Sequence, residues 1–216
     1  MLKIVLGNKN YSSWSMRPWL VLEHFGIPFE ETVVPLDQPD TEANIRRFSP
    51  SGRVPCLIDG TLAIWDTLAI CEYLAERQAG LWPADPAARA VARSVCAEMH
   101  SGFAALRNDC PVKVKETFPP APLRPEVQAD VARIEAIWAD CRARFRKGGP
   151  FLFGAFTIAD AFYAPVVTRF RTYSIPISAA SREYVELIWA LPAMQKWAEA
   201  ARRENFIMAR YEKRQQ

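Results

Sequence analysis

Leu2-Lys3-Ile4-Val5-Leu6 and, after a short turn, Asn10-Tyr11-Ser12-Ser13-Trp14-Ser15-Met16-Arg17-Pro18-Trp19 form the stretch from which the fold can be read. An apolar strand runs into a helix whose mouth carries three serines. The helix is read over residues 15–25, with Pro18 tolerable in its first turn and Gly26 just past its end. Such a junction presents unpaired N–H groups and a partial positive charge, so an anion is stabilised there. A phosphate, a carboxylate or a thiolate would each fit. Plain N-capping explains at least one of the serines equally well. No G-x-S-x-G elbow and no matching His and Asp pattern accompany them, which argues against a serine hydrolase triad.

The stretch that follows alternates strands and helices. Residues 29–34 are rich in β-branched residues and read as a second strand. Asp40-Thr41 can cap a short helix running to about Phe48, after which Ser49-Pro50-Ser51-Gly52 is a loop. Residues 54–58 and 61–64 flank Asp59-Gly60, a strong hairpin signal. Residues 67–78 are helical, capped by Asp66 or Thr67. The expected order is β-α-β-α-β-β-α. Leu81-Trp82-Pro83-Ala84-Asp85-Pro86 breaks the periodicity and reads as a linker. Beyond it only helical patterns appear: 87–109, 126–146 (Val127, Val131, Ile134, Ile137, Trp138 and Phe145 on one side), 157–172, 181–190 and 193–204. The stretch 113–125 holds four prolines and is a loop. The expected fold is therefore a small α/β domain, residues 1–80, joined to an all-helical one, residues 87–216.

The 216-residue chain is long enough for a substantial core. A net charge of +3 with both signs interspersed excludes an electrostatic case for nucleic acid. The basic pairs Arg202-Arg203 and Lys213-Arg214 read as a solvated helix face and tail. No apolar run reaches membrane-span length and no secretory signal is evident, so no membrane partner and a cytoplasmic location are expected. The five cysteines are scattered without C-x-x-C spacing and read as reduced, packed thiols. Only His24 and His100 are available, so no metal site is expected.

Three further motifs stand out. Gly52-Arg53-Val54-Pro55-Cys56-Leu57 places a proline at a strand start, where it removes a ladder donor. A trans bond is the commoner choice; a cis Val54–Pro55 bond would turn the Val54 backbone outward to pair with an extended, peptide-like ligand. Trp65-Asp66-Thr67 sets a carboxylate and a hydroxyl at a helix start, as caps or as ligand contacts. Thr157 and Asp160 have capping-box spacing, with Asp160 expected buried among its donors and without a chemical role.

In this order the motifs resemble those of cytosolic glutathione transferases over essentially the whole chain. Gly52-Arg53-Val54-Pro55 is similar to that family's cis-proline segment. Asp66-Thr67 with the helix after it resembles the family's acidic-hydroxyl pair, and Phe153–Asp160 its capping box. Ser12-Ser13-Trp14-Ser15-x-Arg17 looks most like the zeta-class S-S-C-S-x-R signature, with Trp14 standing where that class has cysteine. No cysteine lies in this loop, so thiol-transfer chemistry is disfavoured.

The resemblance implies a thioredoxin-like domain, glutathione as co-substrate, a small electrophile as partner, a homodimer and a role in detoxification. It implies Ser12 as the donor that stabilises the thiolate, with Ser13 and Ser15 as fallbacks and Ser15 the better cap. Val54, ahead of Pro55, is expected to bind the cysteinyl backbone. Asp66 and Thr67 would hold the γ-glutamyl end, and Arg53 the glycyl end. Arg17 would orient the loop or bind acidic substrate groups, or be a surface residue. Met99, His100, Phe103 and Arg107 are candidates to line an electrophile site, or are core or dimer contacts. A thiol pKa near ~8.5 must fall by about two units, roughly 2.7 kcal/mol. One hydroxyl donor, about 1.5–3 kcal/mol, and the helix end, about 0.3–1 kcal/mol, suffice without a general base. The alternatives are a zeta-type isomerase that returns its glutathione, and a non-enzymatic binding protein.

Overall fold

The computed structural model describes residues 1–212, so Lys213-Arg214 lie outside the described residues. Four strands, β1 (Leu2–Gly7), β2 (Phe29–Val34), β3 (Cys56–Asp59) and β4 (Leu62–Trp65), form one sheet in the order β2-β1-β3-β4. Parallel pairing of β1 with β2 sets Leu2 opposite Phe29. Antiparallel pairing sets Ile4 opposite Leu57 and Cys56 opposite Trp65. Interleaved are α1 (Ser13–His24), α2 (Thr41–Arg46) and α3 (Thr67–Arg77), giving the expected βαβαββα order. The hairpin closes on Gly60, whose φ of +60° a side chain would strain.

Alternation along β1 explains the layering. Ile4 and Leu6 face Met16, Leu20 and Ile70, whereas Val5 joins Val34, Ile45 and Cys56 on the other face. The rest is helical: α4 (Pro86–Ser101), α5 (Ala104–Asp109), α6 (Pro125–Phe145), α7 (Ile158–Thr172), α8 (Ala179–Trp189), α9 (Pro192–Arg203) and α10 (Ala209–Glu212). Helix α1 packs on α3 of its own layer and on α7 and α9 of the helical layer. Every residue from Ser15 to Leu22 is consequently buried. The mouth of α1 thus sits where the two layers meet. All five cysteines are buried free thiols. Among the described residues no helix is long and apolar enough to cross a membrane.

Two elements differ from expectation. The helix read over 87–109 is broken: Gly102 is extended and Phe103 is left-handed with φ 58°. The restart at Ala104 lets Phe103 and Leu106 enter the core, and Asp130 Oδ2 accepts the Leu106 N–H at 2.9 Å. A two-residue kink leaves apolar periodicity almost untouched, which hides it. Helix α10 is one turn long, below what periodicity can register.

The capping box forms as read, with Thr157 as N-cap of α7. Asp160 is fully buried and accepts from Leu152 N, Thr157 N and Oγ1, and Tyr184 Oη at 2.9–3.2 Å. Burial pushes its carboxyl up to about 6, against the pull of those donors. A folded-state value above the unfolded one means this contribution is complete below pH ~4 and is lost as pH rises through about 6. Asp160→Ala leaves buried donors unpaired and is expected to cost about 3 kcal/mol in urea unfolding at pH 7. Asp160→Asn should cost less and should abolish that part of the pH dependence.

Candidate active site

Between β1 and α1 the backbone folds back on itself. Asn8 O accepts from Tyr11 N and Ser12 N at 3.1 and 2.8 Å. Ser12, not Ser15, is the N-cap: its Oγ accepts from Ser15 N at 3.3 Å and its hydroxyl donates to Ser15 Oγ at 2.8 Å. Ser15 Oγ also accepts the Gly7 N–H at 3.0 Å, and the residue is completely buried. The expectation of Ser15 as cap is therefore corrected: its hydroxyl braces the end of β1 to α1. Ser12 is 7% exposed. Ser13 opens the helix, half-buried, with a hydroxyl that has no hydrogen-bond partner among the described residues.

A cavity of about 610 Å³ opens beside this helix end. Arg53, Val54, Pro55, Asp66 and Thr67 line it, together with Trp14 and His100. Ser51 also lines it, whereas Ser12, Ser13 and Ser15 are not among its walls. The Val54–Pro55 bond is cis, and the Val54 N–H and C=O have no partner among the described residues. Asp66 adopts φ +75°, an uncommon conformation for a non-glycine residue that tends to persist at ligand sites. Its Oδ1 caps α3 by accepting Leu68 N at 2.8 Å, while Oδ2 faces His100 Nε2 at 3.4 Å. Thr67 donates its hydroxyl to Trp14 O at 2.9 Å, so what it can offer a ligand is its backbone N–H at the start of α3. A larger cavity, about 950 Å³, runs along Gly80–Asp85 and Arg89. It contains none of the residues singled out at the α1 and α3 helix starts, and the smaller cavity is the better candidate.

Behind the cavity wall lies a group of cations. Arg17 is fully buried, which corrects its reading as a surface residue. Its Nε donates to Phe162 O at 3.2 Å, its terminal nitrogens have no partner among the described residues, and its guanidinium lies 4.4 Å from the Trp14 ring. Burial, reinforced by Arg107 and Arg169, pulls it down to about 9. Arg107 stands 4.6 Å from the same ring, and buried Arg169 donates to Cys110 O at 2.8 Å. None of the three has a carboxylate partner among the described residues. Met99 is core, Phe103 is buried, and His100 reaches the cavity with its ring edge-on to Trp14 at 4.9 Å. Arg169 carries no sequence signal, because only the packing of α7 brings it here.

The model of the glutathione S-transferase N-terminal domain matches residues 11–77, and that of the C-terminal domain matches residues 124–200. The chain belongs to the glutathione S-transferase family. Glutathione S-transferase Z2 of Arabidopsis thaliana is 27% identical over 203 residues, 87% of this chain and 88% of that protein. A probable maleylacetoacetate isomerase of Caenorhabditis elegans is 32% identical over 98 residues, 44% of this chain and 45% of that protein. The chain thus spans about a fifth to under half the length of the first curated relatives it matches. The structure of a glutathione transferase homolog from Burkholderia GL BGR1, with bound glutathione, superimposes with TM-score 0.71 at 25% identity, covering 94% of this chain and 99% of that one.

Proposed function

We propose that this glutathione S-transferase binds glutathione in the 610 Å³ cavity and directs its thiolate onto a small electrophile. What carries this is that Val54, whose backbone groups have no partner among the described residues, lines one cavity with Asp66 and Thr67 beside the mouth of α1. An extended tripeptide can pair with Val54, place its γ-glutamyl amine on Asp66 and its γ-glutamyl carboxylate on the α3 start. Arg53 is assigned the glycyl carboxylate. Ser12 is assigned the thiolate, because its hydroxyl caps the helix end that would stabilise the sulfur. The attacking sulfur gains the bond to carbon, and the leaving group departs with its electron pair.

Residues 1–80 and 87–216 are taken as the two domains. The assembly is taken as a homodimer that detoxifies electrophiles in the cytoplasm; exposed Leu62 and Trp65 on edge strand β4 favour a covered face. Glutathione at about a hundred times its Kd is expected to add about 2.7 kcal/mol of stability. A Tm increase of roughly 5–10 °C should follow for a chain of this size. No Tm change at millimolar glutathione would refute the assignment.

A second reading has support of its own. Two guanidiniums against the ring that lines the cavity, Arg17 and Arg107, with Arg169 adding charge behind Arg17 and none of the three paired to a carboxylate among the described residues, favour an electrophile that carries an acid group. A zeta-type isomerase substrate has that character. Turnover of a maleyl substrate against that of a chloronitrobenzene separates the two.

A further inference from the structure

Ahead of Ser12, the backbone of Lys9 and Asn10 is held by distant segments. Glu204, the residue that ends α9, places Oε1 on the Lys9 N–H at 2.7 Å and Oε2 on the Asn10 N–H at 3.0 Å. Trp197 Nε1 donates to Lys9 O at 2.9 Å, and Val114 N donates to Asn10 O at 3.1 Å. All four backbone polar groups of Lys9 and Asn10 are thereby bonded to partners more than a hundred residues away. The Asn10 side chain extends the pattern by accepting Lys115 N at 3.0 Å, and Lys115 Nζ in turn donates to Glu204 O. Lys9 and Asn10 are both buried, so their N–H groups rely on the carboxylate for a partner.

We infer that Glu204 is a positioning residue for the thiolate site, acting through the loop backbone rather than on any ligand. This rests on the proposed role of the α1 mouth. A carboxylate accepting from the N–H groups of Lys9 and Asn10 fixes two successive peptide planes, and Ser12 follows two residues on. Removing it leaves two buried donors unpaired, and the loop must shift to hydrate them. Displacement of a reacting group by about 1 Å costs up to 10²-fold in rate. The tripeptide cradle at Val54, Asp66 and Thr67 lies on other elements and would stay in place.

The test compares Glu204→Ala, Glu204→Gln and, as a control on the same helix, the exposed Glu199→Gln. Glu204→Ala is expected to lower kcat about tenfold with the glutathione KM changed less than about threefold. The pH profile of kcat should move alkaline by about one unit, as bound thiol ionises less readily. Glu204→Gln keeps one acceptor oxygen and should lie between wild type and Ala; Glu199→Gln should match wild type. Amide exchange at Lys9 and Asn10, measured without any ligand, should accelerate in Glu204→Ala. An unmoved pH profile with wild-type kcat, or a rise in KM at constant kcat, overturns the inference. Faster exchange in a protein that proves not to bind glutathione would keep the clasp and sink the functional reading instead.

Discussion

Ser12→Ala is expected to lower turnover ten- to hundredfold and to lower thermal stability at the same time. The two effects have separate causes. The hydroxyl now donates to Ser15 Oγ at 2.8 Å, but a serine proton rotates freely about its C–O bond. Ser15 Oγ keeps the Gly7 N–H when Ser12 turns away, so redirecting that proton to sulfur leaves no acceptor stranded. A hydrogen bond to a charged acceptor is worth about 1.5–3 kcal/mol, which corresponds to one to two units in the thiol pKa. The thiolate fraction at neutral pH falls in proportion. The same oxygen also caps α1 through Ser15 N, a contact worth about 1 kcal/mol, or a few degrees in Tm. Ser12→Thr retains both functions and should recover most of both losses. Ser13→Ala, which removes an unpartnered hydroxyl, should leave Tm unchanged and turnover within about threefold. Measured kcat/KM and Tm for the three variants decide the assignment. A Ser13→Ala enzyme that loses turnover while Ser12→Ala keeps it transfers the role to Ser13.

The split between what could and could not be read in advance follows the range of the interactions. The β1 strand, the Gly60 hairpin, the Asp66 cap and the Thr157–Asp160 box each depend on residues a few positions apart. Their chemistry is visible in a short window. The choice of cap among Ser12, Ser13 and Ser15 is not, because all three are good caps within four positions. It is decided by which oxygen meets the Gly7 and Ser15 N–H groups once β1 is in the sheet. Arg17 is a harder case. A guanidinium flanked by Met16 and Pro18 reads equally well as a solvated helix residue, and only the packing of α1 against α7 buries it. Glu204 lies furthest beyond local reading, since its partners are 194 and 195 residues away. Trp14 belongs to both groups. Its departure from the zeta-class cysteine is plain in the chain, but its part in the site emerges only from contact with Arg17, Arg107 and His100.

Arg17→Met should therefore give an unusual pair of results: a protein at least as stable as the wild type at neutral pH, with turnover reduced ten- to hundredfold. Taking a guanidinium out of water costs several kcal/mol. Against this stand one hydrogen bond to Phe162 O and stacking on Trp14 and Phe162, with two terminal nitrogens unpartnered and two more arginines adding repulsion. Replacing such a charge with an apolar side chain of similar length is commonly neutral or stabilising by about 1–4 kcal/mol. The pH dependence has a definite sign. The folded-state value, about 9, lies below the ordinary arginine range, so the penalty is in force throughout the pH range below 9. It is relieved as pH rises further, because the folded protein then releases a proton that the unfolded chain retains. The stability gap between Arg17→Met and wild type should narrow between pH 8 and about pH 10, which chemical denaturation at the two values measures. Retention of so costly a charge makes sense if an anion completes it. Arg17 lies against the ring that lines the cavity, where a thiolate or a substrate carboxylate would supply the missing countercharge. In the variant the bound thiol should ionise about one unit higher, and an acidic electrophile should lose more affinity than a neutral one. An Arg17→Met protein that loses stability by more than about 2 kcal/mol while keeping full turnover would reverse this assignment, making the arginine a structural strut between α1 and α7.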